Sequence, residues 1–281
     1  TAADGLQVRR VHSENERCTL KLARFVAEGR EHWGAIKGGT AVETEGPLSA
    51  KETGETFERY ELSAPFFWTK IICLGLNYGS HVEENRTKKP ERPILFSKAV
   101  SSVVGDGDPV IKPDIVRDLD YEAELALVVG KRARNVPERS AYEHILGYTV
   151  LNDVSARDLQ FGDRQWFRGK SCDTFCPMGP WIVDDTEDPM DLEIEMRING
   201  EVKQRANTGE MIFDIPSIIE HITQTMTLLP GDIIATGTPA GVGAFRDPPE
   251  FLKDGDLMEA GIEGIGTLRN RVAYASTQTS K

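Results

Sequence analysis

Short apolar runs, set apart by charged or glycine-bearing turns, recur along this chain. Residues 20–26 and 33–36 form two such runs in a stretch otherwise rich in charge, notably 51–61. The pattern changes after Ala64-Pro65, where Ile71-Ile72-Cys73-Leu74 begins a more apolar part. A boundary is therefore expected near residue 66, between a small N-terminal domain (1–65) and a larger domain (66–281). Residues 125–129 and 148–151 have the length and β-branched content of strands. Residues 192–198 alternate and run into Asn199-Gly200, the strongest short hairpin signal. Ile215, Ile218, Ile219, Ile222 and Met226 recur at helical spacing, and Pro216 is tolerable in a first turn. Residues 233–235 and 257–262 read as strands, with Gly231-Asp232 and Gly255-Asp256 as turns. Many strands, few helices and no βαβ alternation predict a β-rich mixed α/β fold on a rolled mixed sheet. No internal repeat or low-complexity segment is apparent.

Composition narrows the classes. The chain has 281 residues, 39% hydrophobic and 28% charged, enough to bury a substantial core. Its net charge of −12 argues against a nucleic-acid or anionic-membrane surface, since both partners repel an acidic protein. No apolar run approaches the roughly 20 residues of a membrane span. Residues 1–10 lack a signal-peptide core, so a cytoplasmic protein is expected. Cys18, Cys73, Cys172 and Cys176 are too scattered for a disulfide framework and read as reduced thiols. Cys172-x-x-x-Cys176 lacks a second ligand pair for structural zinc, which leaves packing thiols as the default.

Several segments carry candidate chemistry. In Asp120-Tyr121-Glu122-Ala123-Glu124-Leu125, read as one strand, Glu122 and Glu124 share a face about 7 Å apart. Carboxylates next to an apolar continuation need compensation, and a divalent cation supplies it economically. A solvated edge carrying two glutamates is the plainer alternative. Asp153 ends the apolar run 148–151 and is either a third oxygen ligand or a turn or cap residue. His81 and Glu84 stand at i, i+3, where a carboxylate can orient an imidazole and raise its basicity; an exposed histidine on a charged helix fits the same spacing. Thr236-Gly237-Thr238-Pro239-Ala240-Gly241-Val242-Gly243 lets backbone amides approach a ligand, or makes a tight structural turn. It lacks the residues of a phosphate-binding loop or dinucleotide fingerprint. Lys98 and Lys170 adjoin apolar or small residues and are either surface charges or cations for developing oxyanion charge.

Taken in order, these segments resemble the fumarylacetoacetate hydrolase family. The resemblance runs over about 71–272 and rests on Gly75-Leu76-Asn77-Tyr78 with His81, the 120–125 strand, Asn152-Asp153-x-x-Ala156-Arg157-Asp158, and Gly237-Thr238-Pro239-x-Gly241-Val242-Gly243. It implies the β-rich rolled catalytic fold of that family's C-terminal type, usually a homodimer, with Mg²⁺ or Mn²⁺ on Glu122, Glu124 and Asp153. An all-carboxylate set also admits Ca²⁺ and disfavours zinc and copper. It further implies that His81 and Glu84 activate water, that Lys170 and Gln160 position substrate or water, that Thr238 meets a substrate carboxylate, and that 82–92 form a lid. Gly79-Ser80 and the Lys98-Ala99 step depart from the family pattern near that lid. The implied reaction is hydrolysis of an acylpyruvate-like 2,4-dioxo acid at a carbon–carbon bond. Oxaloacetate decarboxylation and isomerisation of unsaturated 2-oxo diacids are alternatives on the same site; a catalytically silent metabolite-binding protein is the alternative from another class.

Overall fold

A computed structural model describes residues 19–275 other than 48 and 68. Residues 1–18, with Cys18, and 276–281 lie outside the described residues.

The N-terminal segment is a meander: β1 (Lys21–Ala27), β2 (Arg30–Lys37), β3 (Thr40–Thr44), β4 (Glu52–Phe57) and β5 (Glu61–Ser63). The charge-rich 51–61 stretch thus supplies an outer strand, β4, whose residues are almost all exposed. Charged side chains on an edge strand discourage pairing with other chains. Phe25, Ala27 and Ala41 form a small core beneath it, packed by Ile36, Phe57, Tyr60 and Leu62.

The remaining strands are β6 (Ile71–Gly75), β7 (Ile94–Lys98), β8 (Val103–Val104), β9 (Val110–Lys112), β10 (Leu119–Asp120), β11 (Ala123–Val129), β12 (Ile145–Asn152), β13 (Ser155–Ala156), β14 (Cys176–Val183), β15 (Glu193–Ile198), β16 (Glu201–Asn207), β17 (Ile233–Ala235), β18 (Leu257–Ile262) and β19 (Gly266–Tyr274). Helices are few and short: α1 (Gly79–Glu84), α2 (Arg157–Gly162), α3 (Trp166–Lys170) and α4 (Ile215–Thr225). Among the described residues no helix is long and apolar enough to cross a membrane.

One large mixed sheet runs β4-β3-β2-β1-β14-β12-β11-β17-β6-β7, with β5 on β1 and β8 on β14. The meander joins it through β1, where Leu22 pairs with Ile182. A second sheet runs β16-β15-β18-β19-β9. Asn199 and Gly200 turn the β15–β16 hairpin with φ of 51° and 83°, both in the left-handed region that this turn demands. The apolar stripe of α4 is buried at Ile215, Ile218, Ile219 and Ile222, and Asp214 caps it by accepting from Ser217 N.

At the centre, β11 is buried on both faces. Leu125, Leu127 and Val129 face the main core, while Ala126 and Val128 face a second core with Cys73, Leu151 and Met178. The period of two puts Glu124 on the Ala126 side and continues from Leu151 to Asp153 on the neighbouring strand.

The expected single strand 120–129 is broken. β10 pairs with β13, and β11 starts only at Ala123. Side chains take the ladder's place across the break: Tyr121 N donates to Asp120 Oδ1 (2.9 Å), Glu122 N to Asn152 Oδ1 (3.0 Å) and Ala123 N to Gln204 Oε1 (3.0 Å). The backbone stays satisfied while the chain turns toward the site.

Ile219→Ala, in the fully buried stripe of α4, should lower stability by roughly 2–5 kcal/mol, read as a lower urea midpoint at unchanged slope. An unchanged midpoint would contradict the packing described here.

Candidate active site and metal centre

Glu122, Glu124 and Asp153 converge beside the end of β12, each offering a carboxylate oxygen within 4.8 Å of the others. All three are buried. The ladder makes this possible. Ala123 pairs with Asn152, and Asp153 N donates to Glu122 O at 2.8 Å, so the two chain ends are held side by side. The edge-face alternative for Glu122 and Glu124 therefore does not describe their surroundings.

Three buried cations meet these acids. Lys170, at the end of α3, donates to Glu122 Oε2 and Asp153 Oδ2, each at 2.7 Å. Lys98, at the end of β7, donates to Asp153 Oδ1 and to Val154 O (3.2 Å). Arg157, opening α2, reaches Asp120 Oδ2 through Nε (2.8 Å), Glu122 Oε1 through Nη2 (2.7 Å) and Gln160 Oε1 through Nη1 (3.0 Å). Burial pushes the Glu122 carboxyl up, but Lys170, Arg157 and His81 outweigh it and bring it down to about 2. Glu124 is different. Burial, then the charges of Asp153 and Glu122, hold its carboxyl well above the usual range. Gly237 N donates to it at 2.8 Å, and among the described residues no lysine or arginine pairs with it.

The histidine is buried, on a one-and-a-half-turn helix. His81 Nδ1 and Glu84 Oε1 are 2.7 Å apart, and Gly241 N donates to Glu84 Oε2 at 2.8 Å. With Nδ1 engaged, Nε2 is the nitrogen left to exchange a proton with a ligand in the cavity that His81 lines.

The glycine-rich turn after β17 serves the acids themselves. Its amides go to Glu124 (Gly237), Glu84 (Gly241) and Asp120 (Gly243 at 2.7 Å, Ala244 at 3.0 Å). Gly241 has φ of 106°, and a Cβ there would lie 2.1 Å from Lys203 O, so only glycine fits. Of the two expected roles, ligand approach or a tight structural turn, the amides of Gly237, Gly241 and Gly243 fit the second, since protein carboxylates accept from them.

A cavity of about 60 Å³ opens over this cluster, with room for a few waters or a compact acid head. His81, Glu122, Arg157, Gln160, Lys170 and Thr238 line its inner end. Lys98 lies below, against Asp153, and does not line it. The Thr238 hydroxyl donates to Ala123 O (2.9 Å) and accepts from Gln204 Nε2 (2.8 Å), so bonding a substrate carboxylate requires it to exchange its donor bond. Of segment 82–92, Asn85 lines the cavity, while Lys88 pairs with Glu91 at 3.2 Å on the surface. Cys172 and Cys176 are free thiols; burial pushes the Cys176 thiol up to about 12, as expected of a packing residue.

Asp120, Arg157 and Gln204 are structural partners of the site to which sequence reading assigned no role. Asp120 and Arg157 stand inside the recognised motifs, yet their pairing joins residues 37 apart and has no local signal. Gln204 comes from β16 of the second sheet and carries no sequence signal.

The fold is β-rich, and its buried acidic triad could take a divalent cation. Residues 70–273 match the fumarylacetoacetate (FAA) hydrolase C-terminal family model, and residues 20–65 match the Rv2993c-like, N-terminal one. The chain belongs to the fumarylacetoacetate hydrolase family. It is 54% identical over 204 residues to an uncharacterized protein of Methanocaldococcus jannaschii, covering 73% of this chain and 83% of that one. It is 47% identical to the mitochondrial oxaloacetate tautomerase FAHD2A of Bos taurus, over 72% of this chain and 66% of that protein. The crystal structure of 2-hydroxyhepta-2,4-diene-1,7-dioate isomerase from Mycobacterium marinum superposes with a TM-score of 0.82 at 41% identity, over 91% of this chain and 99% of that one.

The donor set fits a hard divalent ion: three carboxylates, all oxygen, with Glu124 short of a cationic partner. Burial and the neighbouring acids favour the neutral form of Glu124, and an ion favours the charged one, so metal affinity should fall in acid. Titration calorimetry with Mn²⁺, run in buffers of different ionisation heat, should show proton release on binding that grows as the pH is lowered. Glu124→Gln should weaken binding at least about tenfold with the circular dichroism unchanged. No proton release, together with undiminished binding by the variant, would remove Glu124 from the metal centre.

Proposed function

We propose that the chain is a divalent-metal-dependent enzyme that moves a proton at C3 of a 2-oxo acid, interconverting keto and enol forms. The observation that carries this reading is the His81–Glu84 pair at 2.7 Å, with buried His81 lining a cavity that Lys170 and Glu122 of the acidic triad line as well. Glu122, Glu124 and Asp153 would hold Mg²⁺ or Mn²⁺, with Ca²⁺ compatible. When bound, such an ion supplies Lewis acidity toward a 2-oxo carboxylate. His81 Nε2 takes the C3 proton, and the imidazolium then returns it to oxygen or carbon. Glu84, fixed by Gly241 N–H, keeps one ring orientation and stabilises the imidazolium. Lys170, which lines the cavity, would stabilise the negative charge that develops on the enolate. Lys98 acts from beneath by holding Asp153. The proton-transfer names of the bovine and M. marinum relatives support this reading. A homodimer with a small N-terminal domain at 1–65 belongs to the same proposal.

A second reading keeps the same dyad but turns it on water, hydrolysing an acylpyruvate-like 2,4-dioxo acid. Gln160 favours it: its carbonyl oxygen is held by Arg157, which leaves its amide nitrogen to orient a water in the cavity it lines. Decarboxylation of oxaloacetate passes through a pyruvate enolate and needs no water.

Proton NMR in D₂O separates these readings. With Mn²⁺ supplied, the protein should speed deuterium entry at C3 of oxaloacetate or an acylpyruvate faster than it releases pyruvate or carbon dioxide. His81→Ala should lower that rate by about 10²–10⁴-fold. Pyruvate release outpacing exchange would favour hydrolysis or decarboxylation, no turnover would favour a binding protein, and full activity in His81→Ala would remove the proposed base.

A further inference from the structure

One turn of helix beyond the proposed base, a second polar side chain lines the cavity. Asn85 follows α1 with helical backbone angles (φ −76°, ψ −6°), and its N–H donates to His81 O at 3.1 Å. Residues four apart on a helical turn share a face, so His81 and Asn85 stand one behind the other, and both line the same space. Arg86 then leaves the helix with φ of 51°, the left-handed geometry that closes many helices.

The Asn85 amide is uncommitted. Among the described residues its side chain makes no hydrogen bond. Other polar groups of the lining are engaged: Lys170 with Glu122 and Asp153, Thr238 with Ala123 and Gln204. Gln160 is engaged only in part, since Arg157 holds its carbonyl oxygen and its amide nitrogen remains. Arg157 Nη2, although 2.7 Å from Glu122 Oε1, makes no hydrogen bond. The lining therefore keeps donors for an acceptor on the ligand, while Leu76, Phe96, Trp166 and Phe245 give apolar contact around them. A ligand that strips water from these amides without replacing its hydrogen bonds binds at a cost, and an acceptor oxygen removes that cost.

We propose that Asn85 is a specificity-determining residue, whose amide binds an acceptor oxygen, carboxylate or acyl, on the C3 substituent of the substrate. Cβ atoms one helical turn apart are about 5–6 Å from each other, within reach of a short substituent on a carbon held at His81 Nε2. The amide is neutral. It suits an acyl oxygen, and equally a carboxylate that keeps part of its water beside a half-buried residue. This inference rests on the 2-oxo acid reading above and adds to it the group that the site reads on C3.

Oxaloacetate, acetylpyruvate and 2-oxobutyrate carry a carboxylate, an acyl group and a methyl group on C3. Deuterium exchange at C3, followed with the full chain and Mg²⁺ after subtraction of the metal-only rate, gives kcat and KM for each. Asn85→Leu should lower kcat/KM for oxaloacetate or acetylpyruvate about tenfold relative to 2-oxobutyrate, through KM, and Asn85→Gln should recover part of the loss. A fall on oxaloacetate alone assigns the amide to a carboxylate; a fall on acetylpyruvate alone assigns it to an acyl oxygen. Wild-type ratios in Asn85→Leu, or an equal loss on all three substrates through kcat, would overturn the inference while the 2-oxo acid reading stands. Exchange of none of the three by the unaltered protein would overturn both.

Discussion

Buried charge is the constraint that organises this molecule. Asp120, Glu122, Glu124 and Asp153 are drawn out of water within one region, and Lys98, Arg157 and Lys170 are drawn in with them. Removing one partner of such a pair leaves a naked charge at a cost of roughly 3–5 kcal/mol, so each ion is held by the others. Four acids meet three bases, and Glu124 is the acid without one. A doubly charged ion would turn that deficit into a small positive excess, suited to a singly charged acid.

The rest of the fold delivers these groups to one place. β11 and β12 bring the acids together by antiparallel register, β7 and α3 supply the lysines, and α2 supplies the arginine. The glycine-rich turn then ties three components together with backbone amides: the triad through Glu124, the histidine pair through Glu84, and the arginine anchor through Asp120. The proposed proton transfer would depend on this rigidity, since a base is useful only when its ring and its ligand are fixed within a hydrogen bond of each other.

Much of this was legible in the residues. Strand-length apolar runs located β11, β12, β15, β17 and β18; Asn199-Gly200 located the hairpin; and the isoleucine spacing located α4. His81 and Glu84 could be paired because a helix makes i, i+3 neighbours. The acids alone left two readings open, since alternation puts Glu122 and Glu124 on one face without saying what that face meets. Burial was decided by strands distant in sequence. The break at Tyr121-Glu122 was hidden because its hydrogen bonds go to Asn152 and Gln204, and no local pattern encodes those partners. The turn at 236–243 fits either a ligand cradle or a tight structural turn by sequence, and its amides hold protein carboxylates. The aromatic lining of the cavity has no local signal either, since Phe96, Phe161, Trp166 and Phe245 come from four segments.

The most direct measurement is the anomalous scattering of Mn²⁺ in crystals of this protein at neutral pH. The account predicts one strong peak with carboxylate oxygens of Glu122, Glu124 and Asp153 at bonding distance, about 2.0–2.6 Å. A peak elsewhere, or Glu122 and Asp153 still bound only to Lys98, Lys170 and Arg157 and Glu124 only to the Gly237 amide at saturating metal, would contradict it.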